Sequence, residues 1–229
     1  MLKKMFSLLG ILFILTYQRP AIASDQVIQQ LQKDLISDYL PKLEAKWGSC
    51  GSNSSSCLSL IDNQYVELNL PEKKDICFPN TYCGFYTCME KKFKCDDVGV
   101  HYFSKLAQPT CSAYVKNINL GLFSKKGVEW VYNVMVCLQK GLVDECDYLG
   151  NCRPEVDLNE RKKVCDHITE FTLSYHPGCY TKSGVGVCRL PLKDKVQIWK
   201  TVSPFLTKRE RQEAYKVIFS CLKPSSSKI

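Results

Sequence analysis

The stretch TYCGFYTCMEKKFKCDD, residues 81–97, carries Cys83, Cys88 and Cys95. Thiols this close in sequence can build a disulfide frame, a zinc site or a redox centre. Zinc thiolate sites bring a second matched pair of ligands or histidines at short spacing. Beyond Cys83-x4-Cys88 the next cysteines fall at irregular distances, no histidine lies close by, and a C-x-x-C redox motif is absent. The three histidines, His101, His167 and His176, stand in no nucleophile or metal motif. Asp144, Glu145 and Asp147 crowd a cysteine-bearing loop without the spacing of a calcium loop. No G-x-S-x-G elbow or phosphate cradle occurs. The expectation is a chain that is not an enzyme, with no catalytic residue, no metal ligand and no cofactor.

Compartment decides what the thiols become. The chain opens MLKKMFSLLGILFILTYQRPAIAS: Lys3 and Lys4 precede an apolar run from Met5 to Leu15, and Ala21-Ile22-Ala23 offers small residues for a peptidase. That reads as a secretory signal peptide over residues 1–23, too short for a membrane anchor. The apolar content of the rest predicts no membrane span. All fourteen cysteines follow it, and an even count in an oxidising compartment reads as a disulfide framework. Loss of Lys3, Lys4 and Arg19 lowers the formal charge from +8 to +5. An excess so small and diffuse points away from nucleic acid. Lys91-Lys92, Lys125-Lys126, Arg161-Lys162-Lys163 and Lys208-Arg209 read first as solvated helix faces, and second as a weak glycosaminoglycan site.

These side chains need elements to hold them. Residues 24–60 read as an N-terminal helix followed by a stapled serine-rich loop. Ile28, Leu31, Leu35 and Tyr39 share one helical face, Pro41 should bend or end it, and GSCGSNSSSC breaks all periodicity. Asn53 heads the only N-x-S/T sequon, a glycan acceptor on a polar loop. Residues 61–229 read as one disulfide-stapled helical domain. Its strongest helix spans residues 122–142, with Ser124 as N-cap, an apolar stripe of Phe123, Gly127, Val131, Val134, Met135 and Leu138, and Gly141-Leu142 as C-cap. A second is expected from Asn159 to Ser174. The last should open at Ser203-Pro204 and bury Tyr215, Ile218 and Leu222 on its way to Cys221. Only YVELNL, residues 65–70, hints at a strand, so the expected fold class is all-α.

The cysteine spacing resembles the stanniocalcins, secreted helical glycoprotein hormones. Cys83-Gly84-x3-Cys88 with Cys95 and Gly99 is similar to their first signature. Phe123-x3-Gly127-x2-Trp130-Val131-x3-Met135-x-Cys137-Leu138-x2-Gly141 repeats a longer one. Thirteen residues separate Cys165 from Cys179, and Cys179-Tyr180-x-Lys182, Val187-Cys188 and a closing helix from Phe205 to Cys221 follow in order. The resemblance covers roughly residues 77–222.

The family's scheme implies bridges from Cys77 to Cys88, Cys83 to Cys111, Cys95 to Cys165, Cys137 to Cys179 and Cys188 to Cys221. Two close couples remain: Cys50 with Cys57, and Cys146 with Cys152 in an insertion the family pattern lacks. Two further departures stand out. The unpaired C-terminal cysteine that links vertebrate subunits is missing, so a covalent dimer is not expected while a noncovalent homodimer stays open. The family's usual sequon position holds MEKKFK, which would move the glycan to Asn53. The resemblance implies a secreted hormone or local regulator that binds an extracellular protein, a receptor or a protease. Its family roles are calcium and phosphate homeostasis and inhibition of pappalysin-type metalloproteases. With every cysteine assigned a partner, such inhibition would be noncovalent. The rival readings are a saposin-like lipid- or membrane-binding module, whose hairpin cysteine order is absent, and a hydrolase, which needs a cleft joining one of the histidines to carboxylates.

Overall fold

The computed structural model describes residues 20–51, 57–61 and 65–222. Residues 1–19 of the expected signal peptide and the acceptor Asn53 lie outside the described residues. Helix α1 (Pro20–Asp34) runs through a π turn, Leu35–Tyr39, into α2 (Leu40–Trp47). Pro41 explains the turn. Proline has no amide hydrogen and crowds the carbonyl four residues back, so the ladder widens by one residue and the Leu40 amide donates to the Leu35 carbonyl. Pro109 is accommodated in the same way. A π turn, Tyr102–Ala107, precedes α4 (Gln108–Asn119), and the Gln108 amide donates to the Phe103 carbonyl.

A three-stranded antiparallel sheet corrects the all-α expectation: the fold is mostly helical with a small sheet. Strands β1 (Leu58–Ile61), β2 (Tyr65–Leu70) and β3 (Lys73–Phe78) pair in sequence order, with Ser59 opposite Glu67 and Leu68 opposite Ile76. The expected boundary at residue 60 falls inside β1. Strand β3 does not alternate; Ile76, Cys77 and Phe78 are all buried, under α3 (Gly84–Phe93), which packs on β2 and β3.

Helix α5 (Lys125–Val143) is the centre of the bundle and packs against α1, α4, β3 and α6 (Leu158–Lys182). Its whole expected stripe is buried. Ser124 caps it, accepting from the Gly127 amide. Gly141 does not end it: the helix continues to Val143 and a further π turn, Asp144–Tyr148. Here glycine is a contact residue, because a Cβ would stand 2.3 Å from Cε1 of Tyr175 on α6. Helix α6 passes Ser174 and Pro177 without ending. The tertiary contacts beyond the proline hold it: Cys179 is bridged to Cys137, and the Tyr180 carbonyl accepts from Trp130 Nε1 at 3.0 Å.

The expected last helix opens later than Ser203-Pro204, and a further helix precedes it. Helix α7 (Leu192–Val202) ends in a 3-10 turn at Ser203–Phe205, and α8 (Lys208–Leu222) begins after it. Thr207 and Glu210 form a capping box, with the Glu210 carboxylate accepting from the Thr207 amide at 2.5 Å. Tyr215 is half-exposed and lies against Trp199 rather than in the core. The side chains of Ile218 and Leu222 lie outside the described residues.

Candidate functional site

Seven disulfides join Cys50–Cys57, Cys77–Cys88, Cys83–Cys111, Cys95–Cys165, Cys137–Cys179, Cys146–Cys152 and Cys188–Cys221. These are the partners the resemblance implied, plus the two close couples, and none of the fourteen cysteines is free. The three thiols of the 81–97 run therefore go to three different places: β3, α4 and α6. Each long bridge ties two elements, and buried polar contacts position them. Gln139, fully buried on α5, accepts from the Asn80 amide at 2.7 Å and donates to the Tyr82 carbonyl at 3.2 Å. That clamp fixes the loop leading into Cys83.

The Phe123–Gly141 motif has a packing reason at each named position. Trp130 is 1 % exposed, which places it in the core and not on an interface. Gly127 lets α7 approach, since a Cβ there would lie 2.8 Å from Asp194 Cγ. Asp194 is fully buried; it accepts from the Ser124 amide at 2.9 Å and from the Ser124 hydroxyl. A carboxylate at a helix N-terminus also meets the positive end of the helix dipole.

The histidines do not converge. His101 Nδ1 and the Ser104 hydroxyl both meet Asp96 Oδ1, at 2.8 and 2.7 Å, instead of bonding each other. A nucleophile with its base needs that second bond. His167 Nε2 pairs with Glu145 at 2.8 Å. The three carboxylates of the Asp144–Tyr148 turn go separate ways: Asp144 to Lys42 and Tyr39, Glu145 to His167 and Asn151, Asp147 to Lys92 and Lys73. Among the described residues no group of three ligands could hold a metal ion. The basic clusters are also spoken for in part: Lys92 by Asp147, Arg161 by Asp97, Lys162 by Asp166 and Lys163 by Glu160. Lys125 and Lys126 remain exposed.

Sequence patterns give no hint of the remaining feature, a cavity of about 100 Å³ between α3, α4, α5, α6, α7 and α8. Tyr86, Tyr102, Tyr114, Trp130 and Tyr180 give it aromatic walls, and Val131, Val134, Met135, Leu138 and Leu173 an aliphatic one. His176 faces it, its ring centroid 5.5 Å from that of Tyr180. Burial pushes the Tyr180 hydroxyl up to about 12 and holds the His176 imidazole down at about 4. Burial first, and then the nearby Tyr180, raises Tyr86 and Tyr114; for Tyr102, burial and then Tyr86 do most, with Tyr180 a smaller cause.

A histidine held neutral in the fold and ordinary when unfolded has its pKa lowered on folding, so protonation favours the unfolded chain. Stability is full above about pH 6.5, falls as pH drops and levels off near pH 4. Between about pH 7.5 and about pH 5 the loss from this group is about 2 kcal/mol. Urea unfolding of the parent and of His176→Leu at both pH values should show that difference only in the parent; equal pH slopes would refute it. The other titratable groups facing the cavity among the described residues, Tyr180, Glu210 and the three further tyrosines, are common to both chains.

Among the described residues no helix is long and apolar enough to cross a membrane. Comparison with family models, curated proteins and solved structures finds no match to this chain.

Proposed function

We propose that the chain is a secreted, stanniocalcin-like binding protein that acts as a hormone or local regulator by docking on another extracellular protein. On this reading calcium and phosphate homeostasis or metalloprotease inhibition is its setting. The observation that carries it is the bridge pattern: five long disulfides in the order the resemblance implies, and no thiol left over. A scaffold so tied presents fixed helix surfaces, and preorganised surfaces bind at a lower entropic cost. Leu192 and Val196, one turn apart on α7, are 76 % and 45 % exposed and supply an apolar patch for a partner.

The test uses the oxidised secreted chain, immobilised and titrated with a pappalysin-type protease and with extracellular fluid. The reading predicts a saturable protein partner, no disulfide-linked adduct on a non-reducing gel, and at least about tenfold weaker binding for Leu192→Glu with Val196→Glu, the loss of roughly one apolar anchor. Recovery of lipid alone, or a covalent adduct, would overturn it.

A further inference from the structure

Two hydroxyls on the cavity wall, Thr110 Oγ1 and Tyr114 OH, are buried with no hydrogen-bond partner. Tyr114 is only 7 % exposed, and its ring is already held by contacts with Phe123 and Trp130. A buried hydroxyl without a partner costs on the order of 1–3 kcal/mol, and most such groups in folded proteins are satisfied. Both sit one turn apart on α4. Together they offer a donor and an acceptor to whatever fills the space.

The rest of the lining states what that is. Among the described residues no lysine or arginine lines the cavity, and the carboxylate of Glu210 there is engaged by the Thr207 amide. His176 supplies a neutral imidazole. An anion would find no counter-charge there and would lose its hydration. Aromatic walls favour an aromatic guest, which packs edge-to-face against them. Size sets the upper limit: the cavity is about 100 Å³, while an apolar cavity of about 150 Å³ accepts benzene in another protein. A single ring fits with a small yielding of the wall, whereas an extended acyl chain does not. One wall is α8, which contributes Ala214 and Val217 and is fastened through Cys188–Cys221.

We propose that the cavity between α4, α5, α6 and α8 is a binding site for a small, neutral, phenol-class ligand, whose ring packs among the tyrosines and Trp130 and whose hydroxyl pairs with Thr110 and Tyr114. This site goes beyond protein docking and stands apart from the α7 patch, so either can fail alone.

The test titrates the oxidised secreted chain with 4-fluorophenol, fluorobenzene and 4-fluorobenzoate, followed by fluorine NMR. The proposal predicts one saturable site for 4-fluorophenol, binding of fluorobenzene weaker by about fivefold, the value of one net hydrogen bond, and none for the anion. Thr110→Val should erase most of the phenol preference while leaving fluorobenzene unchanged. Ala214→Leu should fill the lumen and abolish both, with the seven disulfides and the helical circular dichroism intact. Absence of saturable phenol binding, equal binding of the benzoate, or binding indifferent to Ala214→Leu would overturn the proposal. So would displacement of the phenol by a long-chain lipid from phosphatidylcholine vesicles.

Discussion

Replacing Cys95 and Cys165 by alanine should remove about 4 kcal/mol of stability, the largest loss of any single bridge. Their bond spans 70 residues, and the entropy withdrawn from the unfolded chain grows with the loop a disulfide closes. The two local staples, spanning 7 and 6 residues, should each cost only about 2 kcal/mol by the same relation. Both sulfurs of the long bridge are buried, so alanine is preferred to serine, which would add an unsatisfied hydroxyl. The bond fastens the turn after α3 to the first half of α6, and without it those elements meet through side-chain packing and the Arg161–Asp97 ion pair. Guanidinium unfolding of the three double-alanine variants gives the ranking. A Cys95–Cys165 variant no less stable than the Cys146–Cys152 variant would show that the long bridge does not restrain the chain as described.

The second large effect lies at the N-terminus of α5. Asp194→Ala should destabilise by about 3 kcal/mol, because the Ser124 amide and hydroxyl both lose their acceptor in a site closed to water. Gly127→Ala should cost about 1–3 kcal/mol by forcing a methyl against the same carboxylate. The two are coupled. Once Asp194 has become alanine, the space next to Gly127 is open, and the second substitution should add little. Urea unfolding of the two single variants and the double variant closes the cycle. Strict additivity would mean that Gly127 is glycine for some reason other than the approach of α7.

The same region shows what the sequence could and could not reveal. The stripe on α5 and its Ser124 cap were readable because local rules govern them: apolar residues recur with the helical period, and a serine accepts at the start. Gly127 was visible as part of the stripe, but its reason was not, since Asp194 stands 67 positions further on and looks like any acidic residue in a polar helix. Gly141 misled for the same cause. A glycine followed by leucine near a helix end reads as a cap, while the contact that requires it comes from Tyr175.

Strand β3 escaped because its buried part, Ile76, Cys77 and Phe78, is a continuous run beneath α3, and a short run of that kind carries no period of two. Pro41 was legible as a break, yet the chain answers with a π turn and carries on, as it also does at Pro109. Pro177 sits within α6 for a tertiary reason, the Cys137–Cys179 bond, which spacing alone could not supply. The cavity was wholly hidden. Its lining comes from six helices, and each contributing residue reads separately as ordinary core. Even Tyr114 and Thr110 become notable only when their hydroxyls are seen to lack a partner.

Sulfur oxidation is what fixes these helices against one another, and a peptide map of the oxidised chain, digested without reduction and read by mass spectrometry, tests that most directly. It should return the seven linkages described above, including Cys83–Cys111, Cys95–Cys165 and Cys137–Cys179, with no peptide alkylated at a free thiol. An alkylated Cys83, Cys88 or Cys95, or links made only between neighbours in sequence, would contradict it.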